Sequence, residues 1–194
     1  MGKIYCVMGK SASGKDTVYK KIREARPALR EYVMYSTRPM RAGETDGVTY
    51  HFVNPSRIEK AAADGTLIES RTYRTVKGPW TYATIDDGQI DLSAASYLMP
   101  ATLESYHRLR DYYGKESVVP LFIEVEDGER LLRAIQREKE QAVPQYREMC
   151  RRFLADCEDF SEEKIREAGI TVRYENTDLA QCVSGILSVI DGGI

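Results

Sequence analysis

Long apolar runs are missing from this 194-residue chain. None approaches the roughly 18 residues that a membrane-spanning helix needs, and the N-terminus has no apolar signal-peptide core, so a cytoplasmic protein is expected. An excess of one charge sign is missing too: 28 Lys and Arg against 30 Asp and Glu leave a net charge of −2 at pH 7. No global basic surplus favours nucleic acid or membrane, so neither is expected as a partner and any anion site must be local. The four cysteines, Cys6, Cys150, Cys157 and Cys182, form no CxxC pair. Their spacing speaks against zinc, and their predicted strand and helix positions suggest buried free thiols. With two histidines and no cysteine in a cluster, no nucleophile–base set is visible. The length fits one domain, or one core carrying small inserted lobes, rather than two independent domains.

What the chain does have, near its start, is Gly9-Lys10-Ser11-Ala12-Ser13-Gly14-Lys15-Asp16-Thr17. The run follows Lys3–Met8, which reads as a short buried strand. It precedes a helical stretch in which Val18, Ile22 and Ala25 mark one face before Pro27 ends it. Strand, glycine-rich loop and helix together make a phosphate-binding loop. The glycines let the backbone bend around phosphate oxygens, successive N–H groups point inward, and the helix adds the partial positive charge of its N-terminus. The implied ligand is a nucleoside triphosphate, with Lys15 reaching the β- and γ-phosphates and Gly9, Ser11, Ala12, Ser13, Gly14, Asp16 and Thr17 lining the loop. One position departs: G-x-x-x-x-G-K-[ST] has a Mg²⁺-ligating hydroxyl where Asp16 stands, and Thr17 comes one residue late. Asp16 is therefore the candidate metal ligand, since its carboxylate can reach Mg²⁺ directly or through water.

Strand candidates recur at Lys3–Met8, Arg30–Tyr35, Ser96–Met99, Val118–Val125 and Ile170–Tyr174, most separated by helical patterns, a rhythm that predicts a parallel sheet. Leu103, Tyr106, Leu109 and Tyr113 share a helical face closed by Gly114, and Leu131, Leu132 and Ile135 form another stripe; both helices are expected to pack on the sheet. From Ser36 to about Thr84 the rhythm breaks. Turn signals stand at Arg41-Ala42-Gly43, Asp46-Gly47 and Lys77-Gly78-Pro79, with a short helix, Ile58 to Asp64, and an alternating run, Thr66-Leu67-Ile68-Glu69, between them. This predicts an inserted α+β lobe. A polar, charged segment, Glu138 to Pro144, has the composition of a lid or of a solvated loop.

Within the lobe, Ser36-Thr37-Arg38-Pro39-Met40-Arg41-Ala42-Gly43-Glu44-Thr45-Asp46-Gly47-Val48-Thr49-Tyr50-His51-Phe52 brings two arginines, hydroxyls and a tyrosine into one segment. Arginine forks bind phosphate in bidentate fashion. This run resembles the acceptor motif of the guanylate kinase family, S/T-T-R-x-P-R-x-G-E-x-x-G-x-x-Y-x-F, at Thr37, Arg38, Arg41, Gly43, Glu44, Gly47, Tyr50 and Phe52, with the proline moved to Pro39. Leu67-Ile68-Glu69 is similar to the family's F-I-E, and Trp80-Thr81-Tyr82-Ala83-Thr84 to its Y-Y-G-S/T. The resemblance implies an α/β P-loop fold: a three-layer core with a parallel sheet (1–35, 86–137, 151–194), a GMP-binding lobe (36–85) and a short lid (138–150), all in one domain, as monomer or homodimer. It implies ATP-dependent phosphorylation of GMP, and dGMP, with Mg²⁺. Arg38, Arg41, Tyr50 and Tyr82 would hold the GMP phosphate, and Glu69, Thr84 and Ser36 would face guanine. A carboxylate accepts both N1–H and the 2-amino group of guanine but meets an unprotonated N1 in adenine, so one acidic residue selects and rejects. Leu132-Arg133-Ala134-Ile135-Gln136-Arg137 resembles R-L-x-x-R at the family's lid entrance, and Arg152 the arginine on its far side. Together with Lys15 and Arg38, these arginines are the expected catalytic cations. Asn176 resembles a residue near the adenine of ATP.

A nucleotide kinase needs no general base, because a phosphate monoester with a second pKa near 6 is mostly ionised at neutral pH. Three positions depart from the family: Asp16, Met34-Tyr35 in place of small hydroxyl residues, and Pro100-Ala101-Thr102 in place of an acidic L-D-x-D. The G-K-D-[ST] loop also resembles the related kinase that phosphorylates ribose 1,5-bisphosphate, which lacks the full acceptor run. A guanylate-kinase-like binding module with weak or no catalysis is the alternative from another class.

Overall fold

The computed structural model describes residues 1–75 and 78–192. Five parallel strands form the central sheet in the order β2-β7-β1-β8-β9: β1 (Ile4–Met8), β2 (Arg30–Glu31), β7 (Tyr97–Pro100), β8 (Val118–Glu124) and β9 (Arg173–Glu175). All of β1 is buried, as a central strand covered on both faces requires. Its alternation assigns the faces. Ile4, Cys6 and Met8 join Tyr97, Met99 and Phe122 in one core, with Leu103, Tyr106 and Leu109 from α3 (Leu103–Tyr113) and Ile165 from α6 (Glu162–Glu167). Tyr5 and Val7 join Leu98, Leu121 and Ile123 in the other, with Val18 and Ile22 from α1 (Lys15–Ala25) and Ile186 from α7 (Leu179–Ile190). Helices on both faces complete a three-layer α/β core.

The inserted lobe is a second, four-stranded sheet ordered β4-β3-β6-β5, from β3 (Tyr35–Ser36), β4 (His51–Phe52), β5 (Leu67–Thr75) and β6 (Gly78–Ile85). Helix α2 (Pro55–Ala63) packs Ile58 and Ala61 against Tyr35, Ala83 and Ile85.

Some expectations are corrected. Arg30–Tyr35 is not one strand: β2 lies in the core sheet and β3 in the lobe. Between them Gln89 takes Val33 N–H at 3.0 Å and donates to Val33 C=O at 3.2 Å, while the Tyr32 hydroxyl bonds Ile85 in the lobe at 2.8 and 3.0 Å. Side chains thus satisfy a backbone that leaves one sheet for the other. Strand β9 starts at Arg173, not Ile170. Ala25 is exposed, as is Cys150, with Cys157 half-buried; all four thiols are free. Gly78 and Pro79 lie within β6 rather than in a turn, and Lys77 lies outside the described residues. Glu138, expected in an irregular segment, is a buried residue of α4 (Asp127–Lys139). The apolar stripe expected on that helix is wrong in the same way: Leu132 is 65% exposed, and Arg130, Ala134 and Glu138 face inward instead. Helix α4 packs on α5 (Tyr146–Asp159) rather than on the sheet.

Leu109 and Leu132 separate these readings. Leu109→Ala, at a fully buried position, is expected to lower unfolding free energy by about 2–5 kcal/mol. Leu132→Gln is expected to change it by less than about 0.5 kcal/mol. Urea denaturation of both variants measures the difference.

Candidate active site

The strands of a parallel sheet all end on one side, and the loops that follow them line a ligand crevice there. Beyond β1, Gly9–Gly14 leads into α1. Gly14, at φ 80°, is the N-cap, with no side chain capping the helix. Helices α3, α4, α6 and α7, by contrast, are capped by the side chains of Thr102, Glu126, Ser161 and Asp178. The first helical hydrogen bond of α1 runs from Val18 N–H to Gly14 C=O, so the N–H groups of Lys15, Asp16 and Thr17 are left for a ligand. A Cβ on Gly14 would lie 2.5 Å from Asn176 Nδ2. The Ser13 hydroxyl is buried and has no partner among the described residues. An anion-binding cradle has these properties, and they fit a triphosphate.

Side chains from distant elements hold this loop. Asn176, following β9, donates from Nδ2 to Ser13 C=O at 2.8 Å. Arg130, 1% exposed, donates from Nε to Ser11 C=O at 3.0 Å, pairs with Asp127, lies 3.5 Å from Asp156 and stacks on Phe153. Asp156 in turn accepts Ser11 N–H at 2.6 Å. Arg152 Nη2 is 3.3 Å from Ser11 Oγ. Arg137 and Arg152 line one small cavity with Ser11 and Arg130, and among the described residues Arg137 has no ion pair. Lys15 Nζ is 3.6 Å from the Asp16 carboxylate, which is 93% exposed. No cluster of three or more His, Cys, Asp or Glu suited to a metal occurs among the described residues. One open carboxylate fits Mg²⁺ of the kind held by a single protein ligand together with substrate phosphates.

In the lobe, Arg38 is 5% exposed, pairs with Glu44 at 2.7 Å and lies over the rings of Tyr50 and Phe52 at 5.0 and 5.1 Å. The Arg38 guanidinium and the Arg41 N–H push the Glu44 carboxyl down to about 2 from an ordinary 4.5. Whatever the pair adds to stability is therefore complete above pH 4.5 and is lost only as pH falls toward about 2. Tyr82 stacks edge-on against Tyr50 with ring centroids 5.5 Å apart, and Arg41 is exposed, 6.0 Å from the Trp80 ring. Ser36 and Thr84 are fully buried. Thr84 donates to Glu69 Oε1 at 2.9 Å across the β5–β6 pair. Glu69 is 5% exposed, and burial raises its pKa, with Arg71 and Thr84 opposing.

A model of the family described as guanylate kinase matches residues 1–163. The chain belongs to the guanylate kinase family. A guanylate kinase of Chlorobaculum tepidum is 32% identical over 144 residues, 73% of this chain and 71% of that protein. Those of Mycolicibacterium paratuberculosis and Mycobacterium tuberculosis are 44% and 42% identical over 68 and 69 residues. In these two the match spans about a third of the relative's length, 30% and 33%. The crystal structure of guanylate kinase from Anaplasma phagocytophilum covers 98% of this chain and 85% of that one, with a TM-score of 0.67 at 21% identity; this likeness shows the shared fold.

Within this guanylate kinase fold the expected residues fall into two groups. Gly9 to Thr17, Arg137 and Arg152 gather at the phosphate loop, and Ser36, Arg38, Tyr50, Glu69, Tyr82 and Thr84 gather in the lobe. Three stand apart from their expected neighbours, Arg41 because it is exposed, 6.0 Å from the Trp80 ring. Arg133 bonds Glu129 at 2.8 Å and Asn176 C=O at 3.1 Å, and the Asn176 amide is spent on the phosphate loop. Two residues were missed. Arg130 was hidden in an Arg/Glu-rich helix. Arg71, two residues beyond Glu69 and so on the same strand face, bonds the Glu69 carboxylate at 3.1 and 3.4 Å.

Arg130→Met is expected to lower unfolding free energy by about 1–3 kcal/mol, because Ser11 C=O loses its donor and the part-buried Asp156 keeps only Ser11 N–H. Urea denaturation, with the parent chain as reference, measures it.

Proposed function

We propose that this chain transfers the γ-phosphoryl group of ATP to GMP, and to dGMP, with Mg²⁺. The observation that carries the reading is the Glu69–Thr84 pair, buried in the lobe's small sheet, which also holds Tyr82 and whose β3–β4 connection carries Arg38 and Tyr50. A buried carboxylate must be paired and hydrogen-bonded; Arg71 and Thr84 meet Glu69 in the free protein, and guanine offers it two further N–H donors. Arg38, Arg41, Tyr50 and Tyr82 hold the acceptor phosphate. The open N-terminus of α1 and Lys15 hold the β- and γ-phosphates of ATP, and Asp16 holds Mg²⁺, which supplies charge neutralisation between the phosphates. Arg137 and Arg152 face the Ser11 side of the loop, where they offset the negative charge of the transferring group. The acceptor oxygen is already ionised, so the protein's work is alignment, neutralisation and exclusion of water. Residues 36–85 act as the acceptor lobe and 138–150 as the lid. Asn176 serves the ATP site by bracing the loop. A cytoplasmic monomer or homodimer is the setting this reading expects.

An ADP-release assay across GMP, dGMP, AMP, UMP and ribose 1,5-bisphosphate tests the reading. Release is expected with GMP and dGMP and is abolished in Lys15→Ala; Glu69→Gln should lower kcat/KM for GMP by about 10- to 100-fold. Equal turnover of AMP and GMP would remove the role of Glu69, and turnover confined to ribose 1,5-bisphosphate would replace the acceptor. The metal assignment is checked separately: Asp16→Ser is expected to shift the Mg²⁺ concentration giving half-maximal turnover, and an unchanged dependence would discard Asp16 as ligand.

A further inference from the structure

Glu69 is not alone in its pocket. Arg71 Nε lies 3.1 Å from Glu69 Oε2 and Arg71 Nη2 lies 3.4 Å from Oε1, while Arg71 Nη1 reaches across to Thr102 Oγ1 at 3.2 Å. The two side chains are 16% and 2% exposed. Thr102 caps α3 and follows β7, so this guanidinium ties the lobe's buried carboxylate to the core. From the elements packed on β5, Glu69 accepts from the Thr84 hydroxyl of β6 and feels the charge of Glu104 on α3, while α2 turns Ile58 and Ala61 inward. Arg71 is the cation that ion-pairs with it. Burial and Glu104 both favour the protonated acid, and Arg71 opposes them.

The protonation state decides which purine the pocket reads. An ionised carboxylate only accepts, matching guanine N1–H and its 2-amino group. A neutral carboxylic acid donates from its O–H to adenine N1 and accepts the adenine 6-amino N–H at its carbonyl oxygen, which completes an equally good pair with the wrong base. We infer that Arg71 is a specificity-determining positioning residue: by ion-pairing with Glu69 and anchoring on Thr102, it keeps the base-reading carboxylate ionised and fixed, and so excludes AMP. A carboxylate this buried needs a fixed partner to stay charged when the nucleotide is absent, and the Thr102 bond holds that partner in place. The inference rests on the phosphotransfer reading above for its substrates, but not for the state of Glu69 itself.

The experiment therefore has two readouts. In the free protein, the Glu69 carboxyl carbon is followed by NMR against pH, with Glu69→Gln assigning the resonance. In Arg71→Gln, which keeps hydrogen-bonding groups but loses the charge, the midpoint is expected to rise by about one pH unit or more, and Arg71→Lys should restore most of the shift. In the kinetic readout, the GMP-over-AMP ratio of kcat/KM is expected to stay flat between about pH 8 and pH 6 for the parent chain and for Arg71→Lys. In Arg71→Gln it should fall by about tenfold or more over the same range, the change lying in KM for the acceptor rather than for ATP. Arg71→Met serves as the neutral variant if Arg71→Gln does not fold. An unchanged Glu69 midpoint, or a ratio as flat in the neutral variant as in the parent, overturns the inference. A parent chain that releases no ADP with GMP overturns the phosphotransfer reading instead, and the carboxyl titration then decides the hold of Arg71 on Glu69 alone.

Discussion

A loop that leads the chain into an uncapped helix N-terminus carries carbonyls into the protein on its way, and a buried carbonyl needs a donor. Much of the active-site architecture follows from that constraint. Ser13 C=O is met by Asn176, which arrives at the end of β9, and Ser11 C=O by Arg130, which arrives on α4. Asn176 reaches its place because Gly14 has no Cβ to block it. Arg130 reaches its place because α4 gives its inward face to charge, with Asp127 on the same helix beside the guanidinium, and pairs with α5, which brings Asp156 and the Phe153 ring. The loop, the last strand and the α4–α5 pair are thus one hydrogen-bonded unit.

The lobe solves a different problem, keeping a buried cation oriented by its own side chains. Arg38 is buried under Tyr50 and Phe52 and neutralised by Glu44, so it is oriented without being exposed. Arg41, by contrast, stays on the surface. One arginine is built in and the other is exposed beside the Trp80 ring.

The parallel core and the existence of the lobe were legible because both leave local signatures: the apolar five-residue β1, the Gly9–Thr17 loop, and turn residues around short alternating runs. The Glu69–Thr84 and Arg38–Tyr50 groupings were legible only through the resemblance, since residues brought together across strands carry no local pattern. The misreadings have a common cause. On α4 the inward face is polar, because Arg130 must reach Ser11, and hydrophobic periodicity points the wrong way whenever a buried face is chosen for hydrogen bonding. At Tyr32–Met34, residues of good strand propensity leave the sheet because Gln89 and Ile85, more than 50 residues on, take their polar groups. Arg71 was passed over for the same reason: an arginine beside a glutamate on a strand reads as solvated charge until Thr102 arrives from the core.

The register of the central sheet also carries a cost in time. Ile4 pairs with Tyr97 on one side and Val118 on the other, so the first strand made is among the last to find its neighbours. Nearly half the chain separates β1 from the first strand it pairs with, while the β5–β6 pair closes within its own short stretch. Separation in sequence of this kind slows folding through the entropy of closing long loops. The edge of the core sheet that carries the Gly9–Gly14 loop is therefore finished late, and the small four-stranded sheet can be complete before the five-stranded one.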